Sequence, residues 1–171
     1  MASIPSIAHF VWYGTRLPYL HALAIRSAAT HGGFESVRLH HTDPLEALPH
    51  VLALHDLESV ELVRLDDRAV CDETGGPALA DLLVALQSPV ARSNLVRTGL
   101  VYRDGGVYLD MDTLTIGSFD EVRARAPGFL GAERIVFPAE VVASWDPRVK
   151  GKAYLMTAVR DLYRRMPHGY R

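Results

Sequence analysis

Apolar positions along the chain fall into short continuous runs and longer runs of helical period, and their alternation predicts one α/β unit. Residues 7–13 form a β-branched and aromatic run closed by Gly14, the pattern of a buried strand. Residues 18–29 offer Leu20, Leu23, Ala24, Ser27 and Ala28 at helical spacing and stop at Gly32-Gly33. A strand over 37–41, a turn and helix opened by Asp43-Pro44, a strand over 60–65 and a helix over 77–86 follow.

The next helix has the clearest ends. Ser88 is placed to cap it, Pro89 takes the first helical position and Gly105 lies past its end, so it runs over about 89–103. Gly105-Gly106 then turns the chain into Val107-Tyr108-Leu109-Asp110-Met111-Asp112, an apolar strand ending in two acids. Beyond it, residues 119–125 read as helical and 129–137 contain a strand. Residues 152–166 read as an amphipathic helix with Leu155, Val159, Leu162, Tyr163 and Met166 inward, an ordinary core stripe.

No repeat, low-complexity tract or long linker divides the 171 residues, so the pattern is that of a single domain. With 18 basic against 20 acidic side chains, general attraction to nucleic acid or to an anionic membrane is not expected. No basic residue precedes Arg16, which argues against a secretory signal, and the most apolar stretch, 77–91, is too short to span a bilayer. One cysteine, Cys71, excludes a disulfide framework. Together these predict a reducing, cytoplasmic setting without a membrane anchor, compatible with export by a system that reads no N-terminal signal.

The strand end carries the chemistry. Residues two apart on a strand share a face, so Asp110 and Asp112 would present paired carboxylates about 6–7 Å apart by Cα. Their repulsion is about 0.6 kcal/mol in water but about 2.5 kcal/mol at an effective dielectric of 20, so in a cleft something positive must offset them. Mg²⁺ or Mn²⁺ does this, since both prefer carboxylate oxygens and keep positions for water and phosphate. A solvated acidic turn is the plain alternative. Asn94 and Arg97 share one helical face, where a guanidinium could grip phosphate with both arms. The eight histidines show no tight metal spacing, and His40-His41, His50 and His55 read as loop or exposed-face residues. Asp66-Asp67 reads as a solvated turn. Nucleophile-elbow, P-loop and dinucleotide glycine patterns are absent.

Two stretches, Ile4-Pro5-Ser6-Ile7-Ala8-His9-Phe10-Val11-Trp12-Tyr13-Gly14 and residues 88–117 with Ser93-Asn94-Leu95-Val96-Arg97 and Gly105-Gly106-Val107-Tyr108-Leu109-Asp110-Met111-Asp112, resemble the D-x-D sugar-binding region of retaining glycosyltransferases. That group includes the clostridial glucosylating toxins, α-1,4-galactosyltransferases and yeast mannosyltransferases. The resemblance implies a GT-A fold, with a central, mostly parallel sheet flanked by helices, and a nucleotide-sugar-binding core over about 4–117. It implies Mn²⁺ or Mg²⁺ as cofactor and a nucleotide-diphosphate sugar, UDP-hexose, as donor. By position it implies that Val11 and Trp12 hold the base and that Arg97 contacts the donor sugar and phosphate. Tyr108 would lie beside the ribose, and Asp110 and Asp112 would bind ribose and metal. Ser93 and Asn94 fall at donor-sugar positions, Asn94 standing where the family has aspartate. Residues 118–171 are short for an acceptor side, and Trp145 and Asp146 are candidates for it. The acceptor itself is not specified by these residues.

Two other readings accompany this one. A degenerate module would hold a nucleotide sugar without transfer, as Asn94 and the short C-terminal region suggest. A haloacid-dehalogenase-type phosphatase would use Asp110-Met111-Asp112-Thr113, although Leu114 stands where that motif wants Thr or Val and the motif would sit unusually late in the chain.

Overall fold

The chain divides into two compact units, Met1–Pro127 and Gly128–Tyr170. The computed structural model describes residues 4–125 and 128–129. The strand expected over 129–137, the helix over 152–166, and Trp145 and Asp146 lie outside the described residues.

The first unit is built from β1 (Ile7–Trp12), α1 (Tyr19–His31), β2 (Ser36–His41), α2 (Pro49–Leu52), β3 (Val60–Arg64), α3 (Asp67–Gly75), α4 (Pro77–Ala85), α5 (Pro89–Asp104), β4 (Val107–Tyr108) and α6 (Asp120–Arg125). Its four strands form one all-parallel sheet in the order β3-β2-β1-β4. The α/β expectation holds. β1 lies inside the sheet, and its run of apolar residues is explained by burial on both faces: Ala8, Phe10 and Val11 are at most 4% exposed. No helix among the described residues is long and apolar enough to cross a membrane.

Strand order fixes where a ligand would go. From β1 the chain moves outward through β2 and β3, then returns past β1 to place β4 on its other side. Helices accordingly lie on opposite faces. On one, His21 of α1 meets the ring of Trp12 at 4.9 Å. On the other, Arg92 of α5 lies over the Tyr13 ring at 5.8 Å. In open parallel sheets such a reversal opens a crevice at the carboxyl ends of the strands. Here it lies between the ends of β1 and β4, at Trp12-Tyr13 and Leu109-Asp110.

Several local expectations need correction. The expected strand over 107–112 shrinks to Val107–Tyr108. Leu109 still donates its backbone N–H to His9 at 3.0 Å. The chain then folds back, with Thr113 donating both its N–H and its hydroxyl to the Asp110 carbonyl. Asp110 and Asp112 therefore sit on a turn, not on alternate positions of a strand. Ser88 occupies the cap position of α5 without a side-chain hydrogen bond, although Pro89 and Gly105 stand as expected. Asp43-Pro44 opens no helix; the Asp43 carboxylate instead accepts from Gly14 N at 3.0 Å and the Thr42 hydroxyl at 2.8 Å. In α1 the inward stripe is turned from that expected. Leu20 is 54% exposed, whereas His21, Ala24, Ile25 and Ala28 follow the i, i+3, i+4, i+7 spacing, the last three buried.

His40 is the clearest reversal, since it is 3% exposed and lies in β2 beside fully buried His9. His9 Nε2 meets the Gly105 carbonyl and His9 Nδ1 meets His40 Nε2, both at 3.0 Å. A carbonyl only accepts, so His9 is the Nε2–H tautomer and His40 donates its Nε2–H to His9 Nδ1. Both rings stay neutral. Burial lowers the His9 pKa most, against the raising effects of the Gly105 carbonyl and Asp104; Arg38 and Arg103 act with burial. Burial likewise lowers His40, to about 3, and His9 itself pushes it the same way.

An unfolded chain takes up these protons near pH 6.5 while the folded one does not, so their contribution is complete above that value and is lost as pH falls through the window from about 6.5 toward about 3. Denaturant unfolding across this window is expected to show stability falling by up to about 1.4 kcal/mol per pH unit per histidine, a slope that His40→Gln reduces. A flat profile between about pH 6.5 and 4.5, above the carboxylate range, would contradict the neutral pair.

Candidate functional site at the ends of β1 and β4

Construction of the site begins at the junction of α5 and β4. Leu95, Val96, Gly99 and Leu100 are buried and lock α5 to the sheet. Gly99 is needed there, since a Cβ would lie 2.9 Å from Val70 Cγ1 of α3. Gly105 and Gly106 then both take positive φ, 71° and 84°, which L side chains adopt only at a cost. A Cβ on Gly106 would also lie 2.5 Å from the Ile7 carbonyl. This two-residue turn delivers Tyr108 and Asp110 opposite α5.

Arg97, about two turns before the end of α5, points at that segment. Its Nη1 lies 3.1 Å from Asp110 Oδ1, and its Cζ is 5.2 Å from the centre of the Tyr108 ring. The guanidinium is 20% exposed and the Asp110 carboxylate 56% exposed, so the pair has a sheltered base and an open carboxylate end. Burial pushes the Tyr108 phenol above its ordinary value, with a hydrogen bond to Ser93 acting the other way. Ser93, Arg97, Tyr108 and Asp110 thus form one cluster. Asn94 lies alongside on α5, half-buried, and Asp112 is exposed on the turn.

Trp12 closes the other side of the crevice. It ends β1, its ring is half-buried, and its Nε1–H is buried with no acceptor among the described residues. Such a donor is rarely left unmatched, so an acceptor arriving with a ligand would complete it. Val11 is only 4% exposed and belongs to the core.

Next to Trp12 a cavity of about 540 Å³ opens at the ends of β1, β2 and β3, lined by Tyr13, Thr42, Asp43, Arg64, Asp67 and Arg92 among others. Asp67, expected in a solvated turn, is 9% exposed. Asp66 caps α3 by accepting from Ala69 N at 2.9 Å, which turns the next carboxylate inward. Asp67 Oδ2 then accepts from Arg92 Nη2 at 2.6 Å, Arg92 Nε at 3.1 Å and the Tyr13 hydroxyl at 3.0 Å. Burial, and then the charge of Asp67, raise the Tyr13 phenol well above its ordinary value, so Tyr13 remains a donor. This cluster joins β1, α3 and α5, and sequence reasoning missed it. Nothing in the spacing of Tyr13, Asp67 and Arg92 links them before the chain is folded.

Fold and site together define an α/β protein with an open crevice at its strand reversal. The comparisons give the family. Residues 30–128, more than half of the chain, match the glycosyltransferase sugar-binding region containing DXD motif, and the chain belongs to that family. Its fold is similar to the solved PaToxG glycosyltransferase, at 15% sequence identity and a TM-score of 0.51, over 69% of this chain and 46% of that one. The chain therefore spans less than half the length of that neighbour. No curated protein matches the sequence.

The Asp67 cluster has a direct test. Asp67→Ala leaves the Arg92 guanidinium and the Tyr13 hydroxyl without their shared carboxylate, and denaturant unfolding at pH 7 is expected to show a loss of about 2–4 kcal/mol. Asp67→Asn, which keeps an acceptor but not the charge, is expected to lose less.

Proposed function

We propose that the chain transfers a hexose from a nucleotide-diphosphate sugar, UDP-linked, to an acceptor with retention of configuration, assisted by Mn²⁺ or Mg²⁺. The observation that carries the proposal is the meeting of Arg97, Tyr108 and Asp110 at the strand-reversal crevice, within the region that matches the sugar-binding family. Tyr108 and Trp12 offer ring surfaces for ribose and base, and the unmatched Trp12 Nε1–H offers a hydrogen bond. Ser93 and Asn94 present a hydroxyl and an amide to the donor sugar from the same helix as Arg97.

The donor set suits the ion. Among the described residues no group of three or more His, Cys, Asp or Glu side chains converges on one point. A Mg²⁺ or Mn²⁺ ion that takes one or two carboxylates and fills its remaining positions with water and diphosphate oxygens needs no such group. Asp110 and Asp112 would hold the ion on the exposed turn. When bound it neutralises charge developing on the departing diphosphate. Arg97 does the same from the protein side: its planar donor fork, held by Asp110 and steadied on Tyr108, can turn part of its hydrogen bonding to phosphate without crossing the crevice. Residues 4–117 would serve as the nucleotide-sugar core and 118–171 as the acceptor side. Cys71 is fully buried, its thiol pushed up to about 12 chiefly by burial, so it packs as core and offers no nucleophile to this chemistry.

One substitution favours a second reading. Asn94 stands where the resembled family carries aspartate, so one anionic acceptor for sugar hydroxyls is absent, and the chain would then hold the donor without transferring it. The phosphatase alternative gains nothing from the family match.

UDP with Mn²⁺ at about 100 times the dissociation constant is expected to raise the thermal midpoint by about 5–10 °C. Asp110→Ala and Asp112→Ala should abolish that shift together with UDP release from UDP-sugars, while changing the unliganded midpoint little, because both acids are exposed. Release unaffected by both substitutions would overturn the proposal. A metal-dependent shift without release from any UDP-sugar would select the second reading.

A further inference from the structure

The acidic turn is not anchored by its own backbone alone. Residues 111–119 contain no helix or strand, yet they follow α1 with three evenly spaced hydrogen bonds. His21 Nδ1 meets the Met111 carbonyl at 2.7 Å, Ser27 Oγ accepts from Thr115 N at 2.9 Å, and the Gly32 carbonyl accepts from Phe119 N at 2.9 Å. Contacts advance along helix and segment in the same order. The first falls on the peptide between Asp110 and Asp112.

Because a carbonyl accepts, His21 must carry its proton on Nδ1. The direction of the Met111 carbonyl sets the plane of the peptide joining Met111 to Asp112, and hence the angle between the two carboxylates. The same imidazole ring packs against Trp12, centroid to centroid 4.9 Å and inclined 47°. One side chain therefore touches both walls of the crevice: the aromatic end of β1 and the acidic turn after β4. His21 lies outside the region matched by the family, which begins at residue 30.

We propose that His21 is a positioning residue that holds the Asp110-Met111-Asp112 turn in its metal-competent geometry and fixes it relative to Trp12. The inference rests on the nucleotide-sugar reading above. It adds that the two halves of the donor site are coupled through one imidazole: its Nδ1–H sets the acidic turn, and its ring sets the indole. Asparagine places an amide N–H close to the position of Nδ1, phenylalanine keeps a ring without a donor, and glutamine carries its donor further out, near Nε2.

The test is Mn²⁺ titration of the full chain with UDP present, by calorimetry, for wild type, His21→Asn, His21→Phe and His21→Gln. Circular dichroism first establishes a temperature at which every variant is folded. Loss of one hydrogen bond predicts that His21→Phe weakens Mn²⁺ binding about tenfold, while His21→Asn stays within about threefold of wild type. His21→Gln is expected to behave like His21→Phe, and it carries the comparison if the phenylalanine variant does not fold. In a Trp145→Phe background, which leaves Trp12 as the single tryptophan, His21→Asn is expected to change the Trp12 emission and His21→Phe to preserve more of it. Equal weakening by asparagine, phenylalanine and glutamine, in step with lowered thermal midpoints, would overturn the proposal in favour of a structural histidine. Wild-type affinity in His21→Phe and His21→Gln, while Asp110→Ala and Asp112→Ala abolish Mn²⁺-dependent binding, would overturn it and leave the donor-site reading standing. A wild-type chain without Mn²⁺-dependent UDP binding would overturn both.

Discussion

The rest of the site depends on the left-handed turn at Gly105-Gly106. It reverses a 16-residue helix into a two-residue strand, and this reversal sets Arg97 of the helix against Tyr108 and Asp110 beyond it. A longer connection would let the two drift apart, and side chains at these two positions would clash with Pro5 and with the Ile7 carbonyl. The turn is also fastened from below, since fully buried His9 donates to the Gly105 carbonyl and receives a hydrogen bond from His40. A hydrogen bond made in a low-dielectric interior holds its geometry more firmly than one in water. The position of an exposed acidic turn is thereby tied to a buried polar pair.

Charge is arranged in keeping with this frame. The chain is nearly neutral, but the charged groups near the crevice divide into two kinds. Asp67 and Arg92 are sheltered and mutually satisfied, with a third bond from Tyr13, so they join elements and offer little to a ligand. Asp110 and Asp112 are exposed, and Arg97 reaches the first of them from a sheltered position. Exposed ion pairs contribute little to stability because water competes for both partners. The same weakness makes them exchangeable, and an acid that can be drawn from its arginine at low cost is free to meet a cation.

Much of the fold was legible because its signals are local. The β-branched and aromatic run before Gly14, the Pro89 and Gly105 that bound α5, and the Gly-Gly turn into a short apolar strand each depend on neighbouring residues. The cluster of Arg97, Tyr108 and Asp110 was legible through the motif that carries all three. The extent of β4 was not, since Val107-Tyr108-Leu109 has strand character but Thr113 closes a turn on the Asp110 carbonyl four residues later. His40 read as an exposed polar residue because its partner, His9, lies 31 positions away and only strand pairing joins them. Asp67 was hidden in the same way, by partners at 13 and 92.

His21 marks the boundary between what a sequence shows and what a fold adds. Its role was hidden because the expected stripe of α1 ran through Leu20, Leu23, Ala24, Ser27 and Ala28, and only the fold sets His21 at the head of Ala24, Ile25 and Ala28, where a polar group needs a partner. Which partner could not be read, because the segment that supplies the Met111 carbonyl is 90 residues further on and has no regular structure of its own. A segment without a ladder must satisfy its backbone elsewhere. Here α1 supplies that need at Met111, Thr115 and Phe119. The helix after β1 thus sets the register of the segment after β4, and the two ends of the crevice are placed by one rigid element.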